Sequence, residues 1–243
     1  MSEHDSRFFV AKKQMRDRHL VARGITDRRV LTAMELVARE EFVPPCWRHA
    51  AYDDRALPIE LGQSISQPYT VAFMAQAARL QGHERVLEVG TGTGYGAAVL
   101  SPLVAEVFTI ERWPELADSA RERLRHLGIA NVEVQWGDGS LGWPERALFD
   151  AIVVTAAAER LPPAYFDQLT EGGRIVIPIG QHGDGQTMFR FTRHGAELTE
   201  ERLGLFTFVP LVSEDENVRE GSHELKNTAN RTAASGHPSE SGR

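Results

Sequence analysis

Four groups of residues in this chain have the type and spacing for chemistry. Glu88, Gly90, Gly92 and Gly94 form an acid-x-Gly-x-Gly-x-Gly run. Alternate glycines let a backbone turn sharply and let a ligand approach without meeting a Cβ. Glu111 stands 21 residues beyond Gly90, the distance at which an acid accepts ribose hydroxyls. Asp138 and Gly139 form the third group; the acid can accept from the amino group of an adenine, and the glycine leaves room for the ring. The fourth is Ser66, two residues before Pro68. Its hydroxyl is either a donor to a reacting anion or, with Gln67, the cap of a helix that starts at the proline. On composition alone the cap is the plainer reading.

The elements that must position these groups follow a regular rhythm. Residues 86–89 form a short apolar run broken only by Glu88, the pattern of a buried strand, and 95–100 open a helix. Its first N–H groups would favour an anionic part of a ligand. Further strands are expected at 104–110, 132–136, 149–154 and 174–179. A helix runs from Pro114 to Gly128 with Leu116, Ala120, Leu124 and Leu127 on one face, and a short one spans 162–169. Strands alternating with helices predict an α/β fold, a Rossmann-like doubly wound and mostly parallel sheet. Residues 187–193 and 198–209 follow without a helix between them, which predicts a terminal antiparallel hairpin.

Ahead of the sheet, 7–24 reads as a helix ending at Gly24, and Thr26 or Asp27 caps a second helix with Val30, Leu31, Met34 and Val37 on one face. Both are expected to pack as an N-terminal helical cap. Residues 46–58 read as irregular, and Val71, Met74, Ala75 and Ala78 form a helix face after Pro68. The expected organisation is one domain over 1–212, with 1–60 the cap and 61–212 the α/β core. Residues 213–243, with six acidic and four basic residues and almost no large apolar ones, are expected to be a disordered tail.

Composition excludes several classes of function. The 243 residues are 42% hydrophobic, enough for a sizeable core, and the net charge of −7 offers no field for nucleic acid. The single cysteine, Cys46, excludes a disulfide framework and a cysteine-rich zinc site. His19, His49, His83, His126, His182 and His194 lack metal-ligand spacing, and no serine–histidine–acid order is defensible. Trp136, Trp143, Phe149 and Tyr165 read as packing rather than ligand platforms. No run is long and apolar enough for a signal peptide or a membrane span, so the expectation is a cytoplasmic monomer without membrane or nucleic-acid partners.

The glycine loop narrows the cofactor. A dinucleotide G-x-G-x-x-G counted from Gly90 would need glycine where Tyr95 stands, and the frame from Gly92 ends on Ala97. The run resembles motif I of S-adenosylmethionine-dependent methyltransferases instead. With Gly62-Gln-Ser-Ile-Ser-Gln-Pro68, Gly137-Asp-Gly139, Phe149-Asp-Ala-Ile-Val-Val-Thr-Ala-Ala157, Gly172-Gly-Arg-Ile-Val-Ile-Pro178 and Phe208-Val-Pro-Leu211 added, the chain resembles the protein-L-isoaspartate O-methyltransferases from its first helix to Leu211. The resemblance implies S-adenosylmethionine as cofactor and damaged, isoaspartyl-containing proteins as partners, with Ser66 the active-site serine. It implies a cofactor site made of Ser64, Ile65, Glu88, Gly90, Thr91, Gly92, Glu111, Asp138 and Gly139. The departures are Ser64, Gly96 and Ala38, where the family usually has Thr, often Gln and commonly Pro. A related methyltransferase acting on ordinary aspartate in a dedicated peptide, and a binding module without turnover, are the competing readings.

Overall fold

The computed structural model describes residues 3–181 and 185–213, with side chains from Phe8 onward. The expectation of a disordered tail falls almost wholly outside these residues. The first helix, α1 (Glu3–Gln14), continues through a π turn at Met15–Leu20 and a 3-10 turn at Val21–Arg23 to Gly24, which is left-handed at φ 92°. The widened turn has a reason in packing. Met15 and Leu20 are both fully buried, and a five-residue repeat brings them to the same face only in the π register. Asp27 caps α2 (Arg28–Leu36), its carboxylate accepting from Arg29 N and Val30 N. Val37, expected on that helix, is extended instead, because the chain turns inward there to bury Arg39. The Arg39 Nε donates to Ala51 O at 2.7 Å, and its guanidinium lies 4.6 Å from the centre of the Tyr95 ring.

Residues 46–58 are more ordered than expected. A 3-10 helix spans Pro45–Ala50, and β1 (Leu57–Pro58) pairs antiparallel with β2 (Ser64–Ile65) across a turn through Leu61 and Gly62. The α/β core follows as α3 (Pro68–Ala77), β3 (Arg85–Val89), α4 (Tyr95–Leu100), β4 (Glu106–Glu111), α5 (Pro114–His126), β5 (Val132–Trp136), β6 (Phe149–Val154), α6 (Ala164–Asp167), β7 (Leu169–Ile179), β8 (Gln186–His194) and β9 (Glu197–Phe206). Strand β7 begins well before the expected 174, because Gly172 at φ 72° and a register shift against β6 carry the pairing back to Leu169. That extension shortens α6 from the expected 162–169. Strand β4 starts two residues later than expected, since Leu103 closes a 3-10 turn before it.

Seven strands form one sheet in the order β5-β4-β3-β6-β7-β8-β9. The strands from β5 to β7 are parallel, and β8 and β9 add the antiparallel hairpin. The order runs outward from β3 to β5 and then returns to β6 on the other side of β3. The carboxyl ends of β3 and β6 therefore flank the switch point at which such sheets bind ligands. The pleat divides β3 between two cores. Val86 faces a cluster with α2, α3 and α4, whereas Leu87 and Val89 face a second cluster with Phe108, Ile152, Tyr165 and Ile175. Each fully buried aliphatic or aromatic side chain of this kind contributes about 1.5–3 kcal/mol.

One buried acid anchors the entry to β3. Glu84, 1% exposed, accepts from the backbone N–H groups of Gln81, Gly82 and His83 and pairs with Arg174. Burial alone would raise its pKa, but the N–H groups of Gly82 and Gln81 outweigh that and hold the carboxyl below its ordinary range. Glu84→Ala is expected to cost about 3 kcal/mol by orphaning these groups, or roughly 6–12 °C in melting temperature for a domain of this size. Because the folded pKa is the lower one, the stabilisation is fully present above the unfolded carboxylate value of about 4.3 and is lost as pH falls from there through the folded pKa. The difference in melting temperature between the two proteins should therefore be smaller at pH 3.5 than at pH 7 in thermal melts.

Candidate active site

The glycine loop is closed upon itself and upon β4. Gly90 N and Thr91 N both donate to Ile110 O, Gly94 N donates to Thr91 O, and Gly92 N donates to Glu111 Oε2 at 2.7 Å. A phosphate-binding loop turns such N–H groups toward its ligand; here the protein consumes them, and an acid stands where a phosphate would sit. The anionic subsite is expected at the first N–H groups of α4, a helix only six residues long with no side-chain cap. Gly90 is required twice over. Its φ is 97°, and a Cβ there would lie 2.3 Å from Thr155 Oγ1, which bonds the carbonyls of Val89 and Gly90 across the switch point.

Glu111 ends β4 and is 5% exposed, its other carboxylate oxygen accepting from Trp113 N at 3.1 Å. Burial pushes its pKa up, against the pull of the Gly92 and Trp113 N–H groups. The Glu111 carbonyl accepts from Gly137 N at 2.9 Å and so ties the β4 end to the loop after β5. In that loop Asp138 Oδ1 accepts from both the N–H and the hydroxyl of Ser140, which fixes the direction of the carboxylate. Gly139 lies against Val89, where a Cβ would come within 2.4 Å, and its carbonyl accepts from Tyr165 OH. Gly90, Gly92, Glu111, Asp138 and Gly139 are thus brought together by direct bonds between consecutive strand ends.

Three of the expected cofactor contacts are turned elsewhere. Ile65 is buried in the core on β2, 4% exposed. Thr91 points its hydroxyl inward to Thr109 at 2.7 Å. Glu88 shares the Val86 face of β3 and is enclosed beneath α4 at 1% exposure, with Thr109 Oγ1 donating to Oε2 at 2.6 Å. Burial, opposed by the Thr109 bond and reinforced by the charge of Glu111, raises its pKa to about 8.

Ser66 follows β2 and precedes α3, and it caps nothing. The helix has Gln67 at its N-cap with no side-chain cap bond, and Gln67 Nε2 donates instead to Asp54 O at 3.0 Å. Ser66 and Ser64 line an open cavity of about 700 Å³, whose other walls include Arg23, Tyr69, Thr155 and the segment from Leu203 to Val209. Sequence reasoning missed Thr155, whose place just after β6 was the available signal, and Arg23, for which spacing offers none. The Arg23 guanidinium lies 3.6 Å from the Tyr69 ring centre and bonds Asp54 at 2.6 Å. Trp143, Phe149 and Tyr165 are core residues as expected, but Trp136 is 59% exposed, its Nε1 donating to Arg112 O. Among the described residues no cluster of potential ligands could hold a metal ion, and no helix is long and apolar enough to cross a membrane.

A switch-point site built from an inward-closed glycine loop and acids on the next two strand ends fits an adenosine-bearing cofactor without a pyrophosphate. It defines an S-adenosylmethionine-dependent methyltransferase of Rossmann-like fold. The profile of the Protein-L-isoaspartate(D-aspartate) O-methyltransferase (PCMT) family matches residues 11–216. Protein-L-isoaspartate O-methyltransferase 2 of Anaeromyxobacter sp. (strain Fw109-5) is 53% identical over 200 residues, covering 82% of each chain. A solved protein-L-isoaspartate O-methyltransferase superposes with a TM-score of 0.74 at 30% identity, covering 91% of this chain and 69% of its own. A Plasmodium falciparum structure carrying the same enzyme name, in complex with S-adenosyl-L-homocysteine, gives 0.71 at 25% identity over 84% of this chain and 98% of its own. The chain belongs to the protein-L-isoaspartate O-methyltransferase family.

Glu111→Ala removes the clamp on Gly92 and the acid that the sequence reading expects to accept from the cofactor's ribose. A loss of about 1.5–3 kcal/mol, or roughly 10- to 150-fold in Kd for S-adenosylhomocysteine, is expected from such charge-assisted bonds. Calorimetric titration of the folded variant at wild-type affinity would contradict it.

Proposed function

We infer that the protein transfers a methyl group from S-adenosylmethionine to the free α-carboxylate of L-isoaspartyl residues in damaged proteins and so begins their repair through a succinimide. The observation that carries this reading is Ser66, a hydroxyl spared from capping at the start of α3 and standing on the wall of an open cavity. We propose Ser66 as the catalytic residue and Gly90, Gly92, Glu111, Asp138 and Gly139 as the cofactor cradle, with Glu111 on the ribose hydroxyls and Asp138 and Gly139 at the adenine. Ser64 is proposed at its edge, and Thr91 and Ile65 can contribute only through their backbones. The wider proposal is a cytoplasmic monomer with one methyltransferase domain over 1–212, a helical cap at 1–60 and a tail from 213.

The acceptor carboxylate has an ordinary pKa near about 3.9 and is ionised at neutral pH, so no general base is needed. What the chain must do is strip water from it and aim it, and orientation of this kind can supply several kcal/mol. Ser66 donates a hydrogen bond that fixes the attacking oxygen. The N-terminus of α3, without a side-chain cap, adds a favourable potential for an anion. Phe206, 4.9 Å from Phe73 and 6.3 Å from Tyr69 between ring centres, makes the cavity wall apolar. S-Adenosylmethionine, when bound, supplies an electrophilic sulfonium methyl, which the carboxylate takes while the carbon–sulfur electron pair stays on sulfur. In the methyl ester, the following backbone nitrogen can displace methanol and close the succinimide.

Selectivity follows from where the carboxylate hangs. In isoaspartate it is carried on the α-carbon and the chain continues through the side chain; in aspartate it sits one methylene farther out. A site that grips the peptide backbone separates the two positions by more than the misplacement of about 1 Å that costs 100-fold in rate. Two peptides identical except for isoAsp and Asp should therefore differ at least roughly 100-fold in kcat/KM. Equal rates would favour a dedicated-aspartate enzyme, and no transfer to either would favour a binding module. Ser66→Ala should lower kcat by roughly 100-fold, the scale for one preorganised donor, with cofactor affinity little changed; an unaltered kcat would remove Ser66 from the mechanism.

A further inference from the structure

Behind Ser66 lies a second, inner cavity, between α3, α4 and the sheet. Its walls include Ser66, Met74, Glu88, Gly96 and Thr155. The space open to the centre of a water molecule is about 20 Å³, room for a single water with polar partners on its walls. Ser66 and Thr155 line both this cavity and the open one, so they form the partition between them. Glu88 reaches the inner cavity because residue 96 is glycine. A Cβ there would lie 2.2 Å from Glu88 Oε1, so any side chain at 96 would displace the carboxyl.

Counting protons gives the hydrogen bonds a direction. With Thr109 giving its one hydroxyl proton to Glu88 Oε2, Thr91 is the donor in the Thr91–Thr109 pair. The chain therefore runs from the glycine loop, Thr91 to Thr109 to Glu88. A carboxyl that accepts on Oε2 carries its own proton on Oε1, the oxygen beside Gly96. We propose that Glu88 is a positioning residue, which sets the Ser66 hydroxyl from behind across the inner cavity and ties its direction to the cofactor loop through Thr109 and Thr91. Ser66 then accepts from the inner side and must donate its proton outward, toward the acceptor carboxylate. This rests on the assignment of Ser66 above and goes beyond it by naming what orients the serine.

An ionised Glu88 would act in the opposite sense. It would become an acceptor only, draw the Ser66 proton inward, and set a negative charge behind an anionic acceptor. Its charged neighbour is Glu111 on β4; α3 and α4 present Met74, Ala75, Gly96 and Leu100, and β6 presents Val153 and Thr155, none titratable. With its pKa near about 8, the carboxyl is mostly neutral at pH 7 and mostly ionised at pH 9.

The test is kcat against pH from 6.5 to 9.5 at saturating S-adenosylmethionine. It uses an isoAsp peptide with blocked ends and no other group titrating in that range, and S-adenosylhomocysteine release as the readout. The wild type should lose about tenfold between pH 7 and pH 9. Glu88→Gln, which keeps a neutral group of the same shape, should have a flat profile over that range, and the residual rate of Ser66→Ala should fall less steeply than the wild type, because only the buried charge then opposes the acceptor. A wild type without the alkaline fall, a fall persisting in Glu88→Gln, or a fall as steep in Ser66→Ala as in the wild type would each overturn the proposal while leaving isoaspartyl methyl transfer standing. If Glu88→Gln does not fold, the Ser66→Ala profile decides. A wild type inactive on the isoAsp peptide at every pH would overturn the functional reading, and this proposal with it.

Discussion

The hydrogen bond from Gly92 N to the Glu111 carboxylate, 2.7 Å long, fixes what kind of site this fold can present. It locks the loop after β3 to the end of β4, and through the Glu111 carbonyl to the loop after β5. With the Gly90, Thr91 and Gly94 N–H groups also taken internally, the loop keeps the shape of a nucleotide-binding turn but not its attraction for phosphate. What remains is a buried acid held by the backbone N–H groups of Gly92, Arg112 and Trp113. That arrangement suits neutral hydroxyls and disfavours an anion, so the distinction between two cofactor classes rests on the loop's internal bonding more than on its glycine count.

The reaction explains why so few charged groups face the acceptor. A carboxylate and a sulfonium become an ester and a thioether, so charge is cancelled rather than created. No donor set is needed for a developing oxyanion, and a site that excludes water favours the transition state over the separated ions. The aromatic wall of Tyr69, Phe73 and Phe206 belongs to that logic. So does the uncapped start of α3, which offers partial charge without a counter-ion that would trap the acceptor in its ground state.

Much of this was legible in the sequence because it depends on local rules. The strand pattern around Glu88, the proline at the start of α5 and the spacing from Gly90 to Glu111 each follow from backbone periodicity. The rest depends on contacts between distant segments. Spacing alone could not tell that Glu88 would face inward rather than toward the loop, because that is decided by which sheet face α3 and α4 cover. The Ser66 hydroxyl could not be separated from a helix cap until Gln67 was seen to bond Asp54 O. The partnership of Thr155 with Gly90 joins the ends of two strands 65 residues apart in sequence, and Arg23 enters the site from a helix whose composition marks it only as a cap.

The pleat of β3 makes Glu88 expensive to the fold. An acid ionised near about 4.5 in the unfolded chain and near about 8 when buried must take up a proton to fold at neutral pH. Its folded pKa is the raised one, so the favourable balance is complete below the unfolded value, declines as pH rises, and levels off above the folded one. At about 1.4 kcal/mol per unit, the penalty at pH 7 is on the order of 3 kcal/mol, comparable with the burial of one large apolar side chain. A leucine would fill the same face of β3 without that penalty, and Thr109 would keep its bond to Thr91. Packing alone therefore gives no reason to prefer the acid. The preference has to come from what Glu88 touches: a cofactor loop at one end of its hydrogen-bonded chain and the cavity behind Ser66 at the other.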